Sequence, residues 1–201
     1  MAETTPFTIG ANVSCTDGPC GEVRRLIVDP ASDVVTHLVV EPKHQREHGR
    51  LVPIGLVDTG TGQIRLRCTK AEFEKLDPAE ETRQLPDGVP MTSLGLYDPA
   101  VSPGRRQYIT EDSVPLGEVE VGPGDHAYAT DGHIGQIRGF IIDPASHHVT
   151  HVLLQEGHLW GRKEVAIPIS AVTRVDDGIW LSITKQQVQD LPPVDIDHPG
   201  G

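Results

Sequence analysis

The chain reads as all-β: two copies of a small barrel-forming domain, each closed by a short C-terminal helix. Three observations predict this. First, one segment occurs twice. Thr16-Asp17-Gly18, Gly21, Arg24, Ile27, Asp29-Pro30-Ala31-Ser32 and Val35-Thr36-His37 recur as Thr130-Asp131-Gly132, Gly135, Arg138, Ile141, Asp143-Pro144-Ala145-Ser146 and Val149-Thr150-His151. The offset is constant (131 − 17 = 114) and becomes 115 after one inserted residue, carrying Thr69 onto Thr184 and Leu76 onto Leu191. A register held over so many positions marks a duplication. Second, 21 Gly and 17 Pro punctuate short β-branched runs, which favours strands and turns over helices. Third, 201 residues divide into two units of about seventy residues, near the lower limit for a self-sufficient core. The copies are therefore expected to bury surface against each other as a pseudo-dimer, or against a second chain as a homodimer.

Each copy repeats one order of elements. A short strand, Ala11 to Cys15 or His126 to Ala129, meets an Asp-Gly turn at Asp17-Gly18 or Asp131-Gly132. Glycine accepts positive φ there without a Cβ clash. Gly21 and Gly135 follow at the entrance of the second strand and predict a bulge or a close backbone approach. That strand runs from Val23 to Val28, or from Ile137 to Ile142, and stops at Asp29-Pro30 or Asp143-Pro144. Proline presets φ in such a turn, and the Asp side chain can bond the backbone ahead of it.

The third strand spans Val35 to Glu41, or Val149 to Gln155. It is apolar on both faces near its end, at Leu38-Val39-Val40 and Val152-Leu153-Leu154. One face suits a barrel interior, and the other needs a covering helix or the sister domain. A polar hairpin leads to a fourth strand, Leu51 to Ile54 or Val165 to Ile169. A fifth follows at Ile64 to Cys68 or Ile179 to Ile183. Thr69-Lys70-Ala71-Glu72 and Thr184-Lys185-Gln186-Gln187 are capping boxes that open the closing helices. Phe73 with Leu76, and Val188 with Leu191, share a helical face and are expected to plug the barrel end. Pro78 and Pro192-Pro193 end these helices. The predicted bounds are 8–78 for the first barrel, 79–121 for a Pro/Gly-rich linker, 122–193 for the second barrel and 194–201 for a tail. The linker reads as partly ordered at most, and Met1 to Pro6 as loose.

The succession of Asp-Gly, Gly, an apolar strand into Asp-Pro, and then Val-x-His with an apolar run resembles the PRC-barrel family. So do Val52-Pro53-Ile54, Ile167-Pro168-Ile169 and the Thr-Lys helix. The resemblance covers roughly residues 8–78 and 122–193. It implies small, partly open β-barrels. The family includes the cytoplasmic domain of the photosynthetic reaction-centre H subunit, the C-terminal domain of a ribosome-maturation factor, and small stand-alone proteins. In these settings the barrel is a docking or assembly module.

Charge and composition narrow the function classes. Net charge is −12, which opposes general binding to nucleic-acid phosphates. No apolar run reaches membrane-spanning length and no signal peptide is evident, so the chain reads as cytoplasmic. Cys15, Cys20 and Cys68 face Ala129, Ile134 and Ile183 in the second copy and match no zinc spacing. They read as small buried or half-buried thiols, with a Cys15–Cys20 bridge across the tight turn open as the other reading. Of ten histidines, His147, His148 and His151 cluster. On a strand, side chains four apart lie about 13 Å apart and cannot share an ion. Only His37 and His151 recur at one strand position, as structural histidines.

Asp17, Gly18, Gly21, Asp29, Pro30 and His37, with Asp131, Gly132, Gly135, Asp143, Pro144 and His151, are thus assigned to turns and repeat architecture. No catalytic residue, cofactor or metal site is predicted, because neither copy carries a nucleophile turn or a phosphate-cradling loop. The third-to-fourth-strand hairpin differs most between the copies. His158, Leu159, Trp160, Arg162 and Lys163 form the candidate partner-binding set, since Trp and Arg are enriched in binding hot spots. Leu159 and Trp160 folding back onto the sister barrel stays open as the other reading.

The expected function is a non-enzymatic scaffold or adaptor that binds a protein partner or itself. The alternative is an RNA- or ribosome-associated assembly factor. It would require Arg24, Arg25, Arg105, Arg106, Arg138, Arg162 and Lys163 to gather on one face. A metal- or cofactor-binding enzyme is a third class.

Overall fold

The computed structural model describes residues 5–42, 49–58, 63–84, 108–112, 114–156, 164–176 and 178–194. It is mostly β, with two curled, partly open sheets. The first half contributes β2 (Asn12–Cys15), β3 (Gly18–Asp29), β4 (Val34–Glu41), β5 (Arg50–Pro53), β6 (Val57–Asp58) and β7 (Ile64–Leu66), in the order β5-β4-β3-β2-β7-β6. The second half contributes β11 (His126–Ala129), β12 (Gly132–Ile142), β13 (Val149–Glu156), β14 (Glu164–Pro168), β15 (Val172–Asp176) and β16 (Gly178–Leu181), in the equivalent order β14-β13-β12-β11-β16-β15. The β2–β7 and β11–β16 pairs are parallel, and the other pairs on these paths are antiparallel.

Each half lends a strand to the other. β1 (Thr5–Thr8) precedes the first half but pairs with β12, setting Phe7 opposite Phe140. β10 (Val119–Val121) precedes the second half but pairs with β3, setting Val121 opposite Leu26. Phe7 and Val121 are 114 residues apart, as are Leu26 and Phe140, so the exchange has twofold pseudosymmetry. The symmetry continues at Val34 and His148, equivalent residues that bridge each other. The Val35 amide donates to the His147 carbonyl at 3.2 Å, and the Val149 amide to the Asp33 carbonyl at 2.7 Å. Asp33 and His147 both hold positive φ, 53° and 60°, where the chain leaves the Asp-Pro turn for this pairing.

One apolar cluster runs through both halves and includes Phe7, Leu26, Leu38, Phe73, Phe140, Leu154, Ile167 and Val188. Each half alone is small, and sharing a core raises the buried fraction of both. Burying the Phe7 ring fully contributes roughly 1.5–3 kcal/mol by area.

Several elements differ from the sequence expectation. The two-residue hairpin loops are Thr16-Asp17 and Thr130-Asp131. Gly18 and Gly132 are already the first strand residues, with φ of 129° and 119°. The fourth strands stop at Pro53 and Pro168, and Ile54–Leu56 and Ile169–Ala171 make single 3-10 turns. β6 and β15 were not anticipated, because two to five half-exposed residues give a weak period-2 signal. Thr5 and Pro6, expected loose, lie in β1. The linker ends are also structured: β8 (Glu80–Gln84) pairs with β9 (Tyr108–Asp112). The outer face of the first sheet, at Ile27 and Val39, is packed by Ala79 and Val114 from the linker ends, where a helix or the sister domain was expected.

Helices α1 (Lys70–Phe73) and α2 (Lys185–Gln189) follow their sheets, each with a complete capping box. Phe73 and Val188 are buried in the core. No helix among the described residues is long and apolar enough to cross a membrane.

Candidate functional site

The recurring polar residues hold the backbone. Asp17 Oδ1 accepts from the Lys70 amide at 2.9 Å, and Asp131 Oδ1 from the Lys185 amide at 2.9 Å. Each hairpin carboxylate therefore caps the helix that follows some fifty residues later, satisfying an otherwise orphan amide. Asp29 Oδ1 accepts from the Ala31 amide at 2.9 Å, and Asp143 Oδ1 from the Ala145 amide at 2.8 Å. The Ser32 hydroxyl and then the Ala31 amide hold the Asp29 carboxyl below its usual range. Amides of Ala145 and Ser146 do the same for Asp143. Pro30 and Pro144 set these turns. A Cβ on Gly21 would stand 2.4 Å from the Glu41 carbonyl oxygen, so the β3–β4 crossing requires glycine there. Gly135 is buried at the matching place in β12, opposite Glu156.

His37 and His151 share one local geometry. Their Nδ1 atoms lie 3.0 and 3.1 Å from the Oγ1 of Thr36 and Thr150. In the first half the Thr36 hydroxyl also meets the Glu118 carboxylate, which stands 3.7 Å from His37 Nδ1. With Thr36 donating to Glu118, its oxygen accepts from His37 Nδ1–H, so this three-residue chain ties the approach to β10 onto β4. Arg25 makes a second tie. Its guanidinium donates to Glu120 at 3.0 Å and more closely to Glu80, with the Arg25 side chain 14% exposed. A cavity of about 330 Å³ lies beside it, lined by Arg24, Arg25, Val39, Glu41, Glu80 and Pro123.

Among the described residues, the two halves differ in two side-chain clusters. On the outer face of the second sheet, five side chains from β15, β16, β11 and β12 form one row. The Arg174 guanidinium lies 5.0 Å from the Trp180 ring centroid, and Trp180 stacks on Tyr128 at 4.5 Å. Tyr128 meets His133 edge-on at 5.7 Å, and His133 Nε2 lies 2.8 Å from His126 Nδ1. Asp176 holds Arg174 at 2.9 Å. Burial, then His126, then Lys185 push the His133 ring below its ordinary pKa, so it favours the neutral form. The first half has Asn12, Ser14, Pro19 and Arg65 where His126, Tyr128, His133 and Trp180 stand. Trp180, 38% exposed, was missed by the sequence reading. Its alternation with buried Ile179 and Leu181 was the available signal.

The second cluster is in the first half. Cys15 and Cys68 are buried, Cys20 is half-buried, and all three are free thiols. Burial pushes the Cys15 thiol up to about 12 and the Cys68 thiol up to about 11. As packed they are poor nucleophiles.

The predicted hairpin set of His158, Leu159, Trp160, Arg162 and Lys163 lies outside the described residues. Among the described residues, no group of three or more His, Cys, Asp or Glu side chains is placed to hold a metal ion. No protein-family model matches the chain, and no curated protein is found similar to it in sequence.

Proposed function

We propose that this chain is a cytoplasmic, non-enzymatic adaptor built from two PRC-type barrels, each closed by its C-terminal helix. It presents one body with two unlike outer faces to a protein partner, or to a second copy of itself. The carrying observation is how the duplicated polar residues are used. Asp17, Asp29, Thr36 and His37, with their counterparts, are engaged in turns, helix caps and strand ties. Divergence between the halves falls on side chains outside that framework. Such a molecule keeps a rigid scaffold and varies its surface, which suits recognition.

The RNA-associated reading needs a free basic face. Arg24 is paired with Glu41 at 3.6 Å, and Arg25 with two carboxylates, so two of its seven required cations are already neutralised. This favours a protein partner.

The test is affinity purification of the tagged full chain from its native host, with quantitative mass spectrometry, beside Trp160→Ala and Trp180→Ala. One protein, or untagged copies of this chain, enriched with wild type and lost with either variant is the expected result. Enrichment of RNA with no protein, or specific turnover by the purified chain, would overturn the reading.

A further inference from the structure

The cavity beside Arg25 arises from a difference between the halves. The second half has Gly139 at the matching position, with the backbone of β1 laid against it. There β1 pairs as far as Thr8 with Gly139. In the first half β10 pairs only as far as Val121 with Leu26, and the chain then enters the Gly122-Pro123-Gly124-Asp125 turn. A Cβ on Gly122 would stand 3.2 Å from the Arg25 side chain, so the arginine arm holds the place that backbone fills in the other half. The space beside it is about 330 Å³. That lies within the range of small-ligand sites, roughly 300–1,000 Å³.

A bulge aims the charged wall. Successive strand residues point to opposite faces in a regular strand. The β3–β4 register shifts between Val23 and Arg25, which leaves Arg24 as the extra residue, and Arg24 and Arg25 both line the cavity. From β4, Val39 and Glu41 are two residues apart, share one face and line it too. Glu41 stands out among these charges. Its side chain is only 21% exposed. Among the described residues its carboxylate has one partner, Arg24 Nε at 3.6 Å, beyond hydrogen-bond distance. Glu80, by contrast, is held directly by Arg25. A carboxylate mostly withdrawn from water with no donor on it is unfavourable. The second half has Gln155 at this position in the same strand pairing, so the fold does not require the charge.

We propose that this cavity binds one free aliphatic α-amino acid in its zwitterionic form. The α-ammonium donates to Glu41 and supplies the hydrogen bonds its carboxylate lacks. The α-carboxylate accepts from the Arg24 guanidinium, whose side chain is 59% exposed and free to follow the ligand. The aliphatic side chain packs on Val39 and Pro123, the apolar part of the wall. Arg25 is committed to Glu80 and Glu120 and forms the back of the cavity. A zwitterion suits these charges better than either single ion. An amine alone draws Glu41 away from Arg24 and leaves that cation without an anion. A carboxylate alone sets a second negative charge beside Glu41. This site is independent of the adaptor reading, and either can fail without the other.

The experiment is isothermal titration calorimetry of the full-length chain with L-valine, L-leucine and L-methionine. Saturable binding of at least one of them, at one molecule per chain, is expected. For the best ligand, the N-acetylated form and the decarboxylated amine each remove one charged contact and should bind at least roughly tenfold more weakly. Glu41→Gln carries the second half's own residue, should fold, and should weaken binding by at least the same factor. Arg24→Gln removes an exposed side chain and serves as the second variant should Glu41→Gln fail to fold. No saturable binding of any of the three amino acids, equal binding of the acetylated acid or of the amine, or an unchanged affinity in either folded variant would each overturn the proposal. Affinity purification reads the adaptor function separately, since it does not depend on this ligand.

Discussion

Val34 and His148 are the same residue of the repeat, 114 positions apart, and they bridge each other. A position that meets its own counterpart lies on a twofold axis. The duplicated chain thus behaves as a dimer whose two protomers are joined by a linker. β1 and β10 complete it, each adding a strand to the opposite long strand. Phe7 and Val121 carry this exchange into the common core, where both are buried. Neither half retains all its strands if the other is removed, so the pair is the folding unit.

Gly139 tests the exchange directly. A Cβ there would lie 1.9 Å from the Phe7 carbonyl oxygen, and its φ of 153° is unfavourable for other residues. Gly139→Ala should expel β1 from β12 and lower stability by about 2–4 kcal/mol. Gly55→Ala, with nothing within 4 Å, should stay within about 1 kcal/mol of wild type. Urea unfolding of the two variants makes the comparison. Equal midpoints would mean that β1 does not depend on the close approach at Gly139.

Glu72 and Gln187 occupy the same capping position, and only one of them titrates. Glu72 Oε2 accepts from the Thr69 amide at 2.8 Å and from its hydroxyl at 2.9 Å. Gln187 Oε1 makes the same contacts to Thr184 at 2.9 and 3.3 Å. The Thr69 amide, then its hydroxyl, hold the Glu72 carboxyl below its ordinary 4.5. The folded chain therefore binds this proton less readily than the unfolded one. The stabilisation is complete above about pH 4.5 and is lost as pH falls through the lower folded value. Glu72→Gln should leave the thermal midpoint unchanged near pH 7 and flatten its fall between pH 5 and pH 3. Asp29 and Asp143, also depressed, should keep some acid slope in the variant.

His133 should titrate below its ordinary 6.5, because burial, His126 and Lys185 all disfavour its cation. The unfolded chain then takes up the proton first. Stability is complete above about pH 6.5 and declines as pH falls toward the folded value. NMR titration of the ring should show this midpoint. His126→Asn, copying Asn12 of the first half, should move it part of the way back, with burial and Lys185 holding the remainder. A midpoint unmoved in that variant would remove His126 as a cause.

Much of this architecture was legible because duplication repeats its own signals. Asp17 with Asp131, Asp29 with Asp143, and the capping boxes at Thr69 and Thr184 marked turns and helices by local chemistry. The exchange was not legible. Thr5–Thr8 is four residues long, and its pairing with β12 spans more than 130 positions, which no local pattern encodes. The row from Arg174 to His126 was hidden for the same reason, since it depends on the parallel pairing of β11 with β16. The cysteines were seen to be confined to one half.

Arg25 shows how the linker acquires structure that its composition does not suggest. Its counterpart, Gly139, is filled by the backbone of β1, whereas Arg25 reaches outward to Glu80 beside the first half and Glu120 in β10. One guanidinium therefore joins Glu80 and Glu120, which lie near either end of that linker. Removing it leaves two partly buried carboxylates facing each other, which costs more than the lost attraction alone. Arg25→Met keeps the apolar stem and should destabilise by about 2 kcal/mol, below the fully buried range because Glu80 and Glu120 retain 30% and 23% exposure. Arg25→Met/Glu120→Gln should recover part of that loss, giving a coupling of about 1 kcal/mol in a double-mutant cycle. Hydrogen exchange should rise at residues 80–84 and 119–121 in Arg25→Met and remain unchanged in β14, which Arg25 does not touch. If β14 loosened equally, the guanidinium would be supporting the whole fold and not the two ends of the linker.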